Sequence, residues 1–319
     1  MSQLKWIKKC FSRIFRLILG TYRALECVSA FVDEMNKYAN LFGMNNTHFV
    51  NPHGLDDKSH YSCAKDLARL AMYCTSDKRL MEYWGQASYS VSVRGPKART
   101  ISGSSTYSGT AMMTVEDYYH IIGGKSGTLV DANGRYENLC LVCESKVDHA
   151  WLVGCIMYNT YHPSGNPLAA RGVAFKELLD WLEEFRKDSS IAEQVVQASY
   201  CSAWVMPHPV SICCKSANCG ELNIEMVGKS SSIHAKPASI TKLMTAKVAL
   251  DFLPMSESIT IKSSDIQSGS GDTFYSGDVL YVEDAILAML LPSSNTLATA
   301  LARVAGEKIL RAQKRRLIS

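Results

Sequence analysis

The clearest pattern in the chain is an apolar stripe at helical spacing that opens at Ile240. Ile240, Leu243, Met244, Val248 and Leu250 share it, and neither proline nor glycine falls between Pro237 and Pro254. The same reasoning predicts helices over 4–19, from Val28 to a stop at Gly43, over 62–74, over 168–187, and over 283–291 and 296–306. In the helix over 168–187, Val173, Leu178, Leu179, Trp181 and Leu182 are the expected core. Between these lie strand-like runs. HIIGGKSGTLV, a DANG turn, RYENLCLVCES and WLVGCIMYNT read as three consecutive strands from His120 to Thr160. Residues 203–227 read as a hairpin turning at KSANCG. Residues 86–120 and 258–282 read as short strands among polar and glycine turns. The elements thus mix helices with runs of short strands.

Composition narrows this little. Of 319 residues, 47% are hydrophobic and 20% charged, a globular balance. Charge placement says more. Residues 1–27 and 308–319 together hold eleven Lys and Arg against Glu26, whereas the whole chain is only +4, so the middle is net acidic. The basicity belongs to the ends, and no nucleic-acid-binding face is expected on the core. Within 4–19, Leu4, Ile7, Phe11, Ile14, Phe15 and Ile18 oppose Lys5, Lys8, Lys9, Arg13 and Arg16. That is the pattern of a helix lying on a membrane surface, or of a terminal helix packed on the domain. Charges interrupt it throughout, so it is no transmembrane span, and only Leu17–Leu19 resemble a signal-peptide core.

Eleven cysteines give no disulfide framework. Cys140 and Cys143 sit three apart in a strand and face opposite sides, a poor geometry for a metal or a bridge; buried free thiols are expected. Asn51, His53 and Asp56 cluster in a stretch of turn formers and are read as turn chemistry. No metal and no cofactor is expected.

Ser239 and Lys242 carry the candidate chemistry. They share a helix face near its start, where free backbone N–H groups can stabilise an oxyanion and a neutral lysine can take the serine proton. The bare S-x-x-K also occurs at Ser2/Lys5 and Ser62/Lys65, so the flanks decide. The run PASITKLMTAKVAL resembles the nucleophile helix of the S11 family of D-alanyl-D-alanine carboxypeptidases, the low-molecular-mass penicillin-binding proteins. MNKYANLFGMNNTHFVNPHGL resembles the stretch that follows the family's second motif. Ser293-Ser294-Asn295 matches that S-x-N motif, which in bare form also occurs at Ser164/Asn166 and Ser216/Asn218. Lys125-Ser126-Gly127 matches the third motif, K-T-G, with serine for threonine. A phosphate-binding loop there would need glycine at position 119, which is Tyr.

The motifs stand in the wrong order. The family runs S-x-x-K, S-x-N, K-T-G, whereas here K-S-G comes first. The resemblance thus implies a β-lactamase/transpeptidase-like α+β fold in circularly permuted order. Residues 1–27 would be a basic N-terminal segment and 28–187 the family's C-terminal half. A linker at 188–200 would lead to its N-terminal half at 201–307, with a basic tail at 308–319. The halves either close on each other within one chain or exchange between two chains as a swapped dimer.

By the same resemblance, Ser239 is the nucleophile, Lys242 its base, Ser293 the proton relay and Asn295 the group that orients Lys242. Lys125, Ser126, Gly127 and Thr128 bind substrate, and the N–H groups of Ser239 and Thr128 form the oxyanion hole. The implied substrate is a peptidoglycan stem peptide ending in D-alanyl-D-alanine, with β-lactams as inhibitors and the cell envelope as the place of action. The alternatives are a serine β-lactamase and a non-catalytic fragment or wall-binding protein.

Overall fold

The computed structural model of the chain describes residues 2–107, 112–160, 165–191, 196–206, 225–271 and 273–318. Its centre is a five-stranded antiparallel sheet. β-hairpins β1 (Ser88–Val93) and β2 (Arg99–Ser104) lie outside it; the sheet itself is β3 (Tyr119–Asp131), β4 (Gly134–Ser145), β5 (Trp151–Asn159), β6 (Ala198–Met206) and β7 (Val227–Lys229), in that order. The DANG turn closes β3 on β4 with Asp131 opposite Gly134, and Gly134 takes the positive φ that the tight turn needs. The fold is α+β, as the resemblance implies and in agreement with the element pattern.

Both faces of the sheet are covered, which is why β4 is buried from Glu137 to Cys143 rather than alternating. On one face α5 (Pro167–Lys187) packs so closely that a Cβ at Gly154 would meet Phe175 at 2.9 Å. On the other lies α2 (Ala64–Thr75), with Cys140 Sγ against the Leu67 carbonyl. Behind α2 stands a helical layer: α1 (Ser2–Leu41), α6 (Thr241–Phe252), α7 (Val282–Leu290) and α8 (Asn295–Ile318). The short helices α3 (Lys78–Trp84) and α4 (Met113–Glu116) fall where the pattern predicts no helix, and β8 (Ser258–Thr260) pairs with β9 (Val279–Tyr281).

Several predicted boundaries shift. The helix expected from Val28 is the second part of α1, because only Gly20 lies in its path and one glycine costs a helix about 1 kcal/mol. The stop expected at Gly306 is absent too, and α8 runs on through the basic tail to Ile318. Gly306 has another purpose: a Cβ there would sit 1.8 Å from the Cys27 carbonyl oxygen, so glycine lets α8 and α1 touch backbone to backbone. Arg23 and Glu307 form an ion pair beside the contact. The strand expected after the linker begins earlier, at Ala198, while the KSANCG turn lies outside the described residues. Cys27, Cys63, Cys74, Cys140, Cys143, Cys155 and Cys201 are buried free thiols, and no metal-holding cluster occurs among the described residues.

Candidate active site

Ser239 sits on a 3-10 turn, Ala238–Ile240, that leads into α6; the predicted helix start is therefore tighter than an α-turn. Ala238 has φ +50°, a left-handed conformation held from below by the loop Pro52–Leu55. Gly54, itself at φ +85°, packs so tightly that a Cβ would lie 1.9 Å from the Ala238 carbonyl oxygen. Thr245 donates to the Pro52 carbonyl at 2.6 Å, and His60 bridges to Thr241 Oγ1 at 2.9 Å. Since His60 Nδ1 accepts from the Val50 N–H, its Nε2 is the donor to Thr241. Burial holds His60 neutral, its pKa lowered to about 4, and His53 likewise to about 3.

The stripe predicted for α6 is too narrow. Thr241 to Leu250 are buried all round, since the helix is the central one of its layer. Lys242 is therefore fully buried, and its Nζ makes three contacts: Asn295 Oδ1 at 2.7 Å, the His53 carbonyl at 2.8 Å and Ser239 Oγ at 2.8 Å. Burial first, and the Lys125 charge second, hold its pKa well below the usual lysine range. A neutral amine has two N–H donors and one lone pair. The two carbonyl oxygens can only accept, so they take both donors, and the lone pair is left facing the Ser239 hydroxyl. Asn295 is fixed in this role because its Nδ2 donates to the Ser268 carbonyl at 2.8 Å.

Ser293 lies on the turn between α7 and α8 at φ +70°, buried, with no hydrogen-bond partner for its Oγ among the described residues. Its neighbour Ser294 takes the capping role instead, accepting from the Leu297 N–H at 3.3 Å. A loop over 268–271 presses on this turn: a Cβ at Gly271 would lie 2.6 Å from Ser294 Cα, and one at Gly269 would lie 2.8 Å from Asn295 Nδ2.

Lys125, Ser126, Gly127 and Thr128 lie on edge strand β3, which runs past the Ser239 turn. A Cβ at Gly127 would be 2.9 Å from Ala238 Cβ and 3.1 Å from Ser239 N, so glycine is what lets strand and turn meet. Lys125 is fully buried and donates to the Ser126 carbonyl at 3.0 Å. Burial and the nearby Arg171 lower its pKa to about 7. Ser126 shares a hydrogen bond with Thr106 Oγ1 at 2.7 Å, and Thr128 donates to Glu137 Oε2 at 3.1 Å. Ser239, Lys242 and Asn295 are thus joined by contacts of Lys242 Nζ, Ser293 stands two residues before Asn295, and Lys125 to Thr128 lie along the adjoining strand.

The other S-x-x-K within the described side chains serves packing. Ser62 bonds Thr47, and Lys65 pairs with Glu225 at 3.1 Å. The Asn51 side chain accepts from the Gly54 N–H at 2.7 Å and donates to the Leu55 carbonyl at 2.9 Å, the turn chemistry expected of it.

Sequence reasoning missed three contributors. One is the carbonyl of His53, a backbone group that no side-chain motif can reveal. Another is Arg171 on α5, buried against Glu137, reaching Thr128 Oγ1 at 2.5 Å and the Thr106 carbonyl at 3.4 Å. The third is Thr106. Arg171 carried one faint signal, a charge in the predicted core face of a helix.

Residues 27–159 match the family described as D-alanyl-D-alanine carboxypeptidase, peptidase S11. That stretch holds the Lys125–Thr128 motif and the loop under α6, but neither Ser239 nor Asn295. Among curated proteins, the D-alanyl-D-alanine carboxypeptidase DacA of Haemophilus influenzae is 48% identical over 50 residues, 16% of this chain and 13% of that protein. DacA of Escherichia coli K12 is 46% identical over 48 residues, 15% and 12% respectively. The matches thus span about an eighth of either relative's length. No solved structure gives a significant match. Over residues 27–159, then, this chain is similar to the D-alanyl-D-alanine carboxypeptidases of peptidase family S11.

Proposed function

We propose that the chain is a serine-type D-alanyl-D-alanine carboxypeptidase, acting at the cell envelope on peptidoglycan stem peptides. The observation that carries this reading is the fully buried Lys242 Nζ, 2.8 Å from Ser239 Oγ and with its pKa held low by burial, beside an edge strand bearing the buried Lys125.

In this reading the Lys125 ammonium and the Ser126 hydroxyl hold the terminal carboxylate. The scissile carbonyl then meets Ser239, its oxygen received by the N–H groups of Ser239 and Thr128. Lys242 takes the hydroxyl proton as Oγ bonds to the carbonyl carbon. As the C–N bond breaks, Ser293, with its Oγ buried, gives its hydroxyl proton to the departing D-alanine nitrogen and takes the Lys242 ammonium proton in its place, and Asn295 keeps Lys242 oriented. Water cleaves the acyl-enzyme, regenerating Ser239. No step calls for a metal or an organic cofactor. Lys242 keeps its base form through its surroundings: desolvation and the charge of Lys125 both oppose its protonation.

We further infer a circular permutation closed within one chain. The adjacency of α1 and α8 at Cys27 and Gly306 supports it: those elements would be successive in the family's order. The basic amphipathic sequence of 4–19 falls on the first part of α1 and supports attachment to a membrane surface. No helix of the described residues is long and apolar enough to cross a membrane.

Intact-protein mass after incubation with benzylpenicillin tests the enzyme. A stable adduct on the parent, absent from Ser239→Ala, is the expected result, together with release of D-alanine from a peptide ending in D-Ala-D-Ala. Rapid hydrolysis of the drug without peptide turnover makes it a β-lactamase. Neither adduct nor hydrolysis in a folded, monomeric sample removes the enzyme reading. Monomer mass in solution with activity supports closure within one chain, and an active dimer supports the swapped form.

A further inference from the structure

Strand β3 changes face just before Lys125. Tyr119 lies opposite Ser145 and Ile121 opposite Cys143, but Gly123 lies opposite Val142, so Ile122 is an extra residue, a β-bulge. A shift of one residue turns every later side chain to the other face of the sheet. In the register of Tyr119–Ile121, Lys125 would lie opposite Leu139. Leu139 and Leu141 share the face of α5, since Leu141 lies opposite Gly154, which packs on Phe175. With the bulge, Lys125 instead lies opposite Cys140, whose Sγ meets the Leu67 carbonyl on α2. Gly127, two residues on and on that same face, abuts Ala238 beside Ser239. The bulge therefore decides whether the Lys125 side chain faces the Ser239 turn or α5.

The end of α3 holds the bulge. A Cβ at Gly85 would lie 2.4 Å from the Ile122 carbonyl oxygen, and one at Gly123 would lie 2.4 Å from Cδ2 of the Trp84 ring. Trp84 is fully buried, and its Nε1 donates to the carbonyl of Gly124, the residue before Lys125, at 2.8 Å. Tyr107 Oη in turn donates to the Trp84 carbonyl. Tyr107 follows Thr106, which shares a hydrogen bond with Ser126, the residue after Lys125. These contacts close a ring that grips β3 on both sides of Lys125. Neither Trp84 nor Tyr107 takes part in the mechanism above.

We propose that Trp84 is a positioning residue for Lys125: its ring seats the bulge, its indole N–H pins the Gly124 carbonyl, and together they aim the lysine at the terminal carboxylate of the substrate. The inference rests on the carboxypeptidase reading, in which Lys125 holds that carboxylate, and adds the residue that orients it.

The test compares acylation by benzylpenicillin with acylation by its methyl ester, which lacks the carboxylate. The ratio of the two second-order rate constants is the readout. A change that only loosens the fold lowers both rates alike, whereas a misaimed Lys125 lowers the ratio. The parent should favour the free acid about 10- to 100-fold, the range of a charge-assisted hydrogen bond, and Lys125→Met should remove most of that preference. Trp84→Phe keeps an aromatic ring and removes the N–H, and should lower the ratio about threefold or more. Added to Lys125→Met, it should change the ratio no further, because it acts through the lysine. Tyr107→Phe, a milder change that removes the donor to the Trp84 carbonyl, should lower the ratio in the same direction and replaces Trp84→Phe as the test where that variant does not fold.

An unaltered ratio in the variant tested, or the same fall with and without Lys125, assigns Trp84 to packing alone and overturns the inference while the carboxypeptidase stands. A parent acylated equally by acid and ester overturns it too, since Lys125 then holds no carboxylate. A folded parent that is acylated by neither and releases no D-alanine overturns the carboxypeptidase reading and the inference with it.

Discussion

Asn295 Oδ1 lies 2.7 Å from Lys242 Nζ, with the other end of its amide pinned to the Ser268 carbonyl. A neutral amide here lets Lys242 stay neutral. Asn295→Asp replaces it with an anion of nearly the same shape in contact with the amine. The anion favours the ammonium form, so the Lys242 pKa rises and the lone pair facing Ser239 is lost at neutral pH. Acylation by benzylpenicillin should fall about 10²-fold at pH 7, within the range that general-base catalysis contributes. Raising the pH should recover part of it, whereas Ser239→Ala should stay inactive throughout. Stopped-flow acylation rates across pH separate the two variants.

The pKa of Lys125, near 7 in the folded chain, sets an alkaline limit. If its ammonium form holds the substrate carboxylate as proposed, that form is depleted above this value, and kcat/KM should fall as pH rises through about 7. Removing the Arg171 charge in the double variant Arg171→Met/Glu137→Gln, which leaves no buried carboxylate unpaired, should move that limb upward. The shift should stop short of an ordinary lysine, because burial is the larger cause.

Stability carries the same signature with a definite sign. A lysine whose folded pKa is depressed binds fewer protons folded than unfolded, anywhere between the two values. Unfolding free energy therefore rises with pH from about 7 toward the unfolded lysine value of about 10.4. Differential scanning calorimetry should show Tm rising less between pH 7 and 9 in Lys125→Met than in the parent.

Gly127→Ala tests the meeting of strand and nucleophile turn. The added methyl would face Ala238 Cβ at 2.9 Å and Ser239 N at 3.1 Å, and both belong to a strained turn already braced by Gly54. Displacing Ser239 by a fraction of an ångström should cost about 10²-fold in kcat/KM. Overpacking should cost only about 1–3 kcal/mol in urea unfolding.

Gly306→Ala tests the pairing of the chain's two terminal helices. Its methyl would overlap the Cys27 carbonyl, 1.8 Å away, and the helices must separate to admit it. A loss of about 1–3 kcal/mol is expected if α1 and α8 support the site from one chain. Benzylpenicillin labelling in mild urea should then fail at a lower concentration than in the parent.

The motifs were legible because they combine side-chain type with spacing. Ser239 and Lys242 three apart on a helix, a lysine-serine-glycine run on a strand, and an asparagine opening a helix can each be read from the letters. Cys140 and Cys143 were likewise legible as buried thiols from strand parity. Gly306 was misread for a physical reason: a glycine that ends a helix and one that admits a neighbouring backbone look the same in sequence. Gly20 and the uninterrupted α1 show the converse, since one weak helix former does not stop a helix that tertiary contacts support.

The sequence by itself determined most of the local elements and the positions of Ser239-x-x-Lys242, Ser293-x-Asn295 and Lys125-Ser126-Gly127, because these depend on periodicity and on neighbours within a few positions. Tertiary structure alone decided what those motifs meet. Lys242 is buried because α6 is central, and it is oriented by Asn295 from a distant helix and by a backbone carbonyl at His53. Lys125 is tuned by Arg171 from the far side of the sheet. Burial and Coulomb interactions act through space, over chain separations of 46 to 189 residues in these pairs, and no local pattern encodes them.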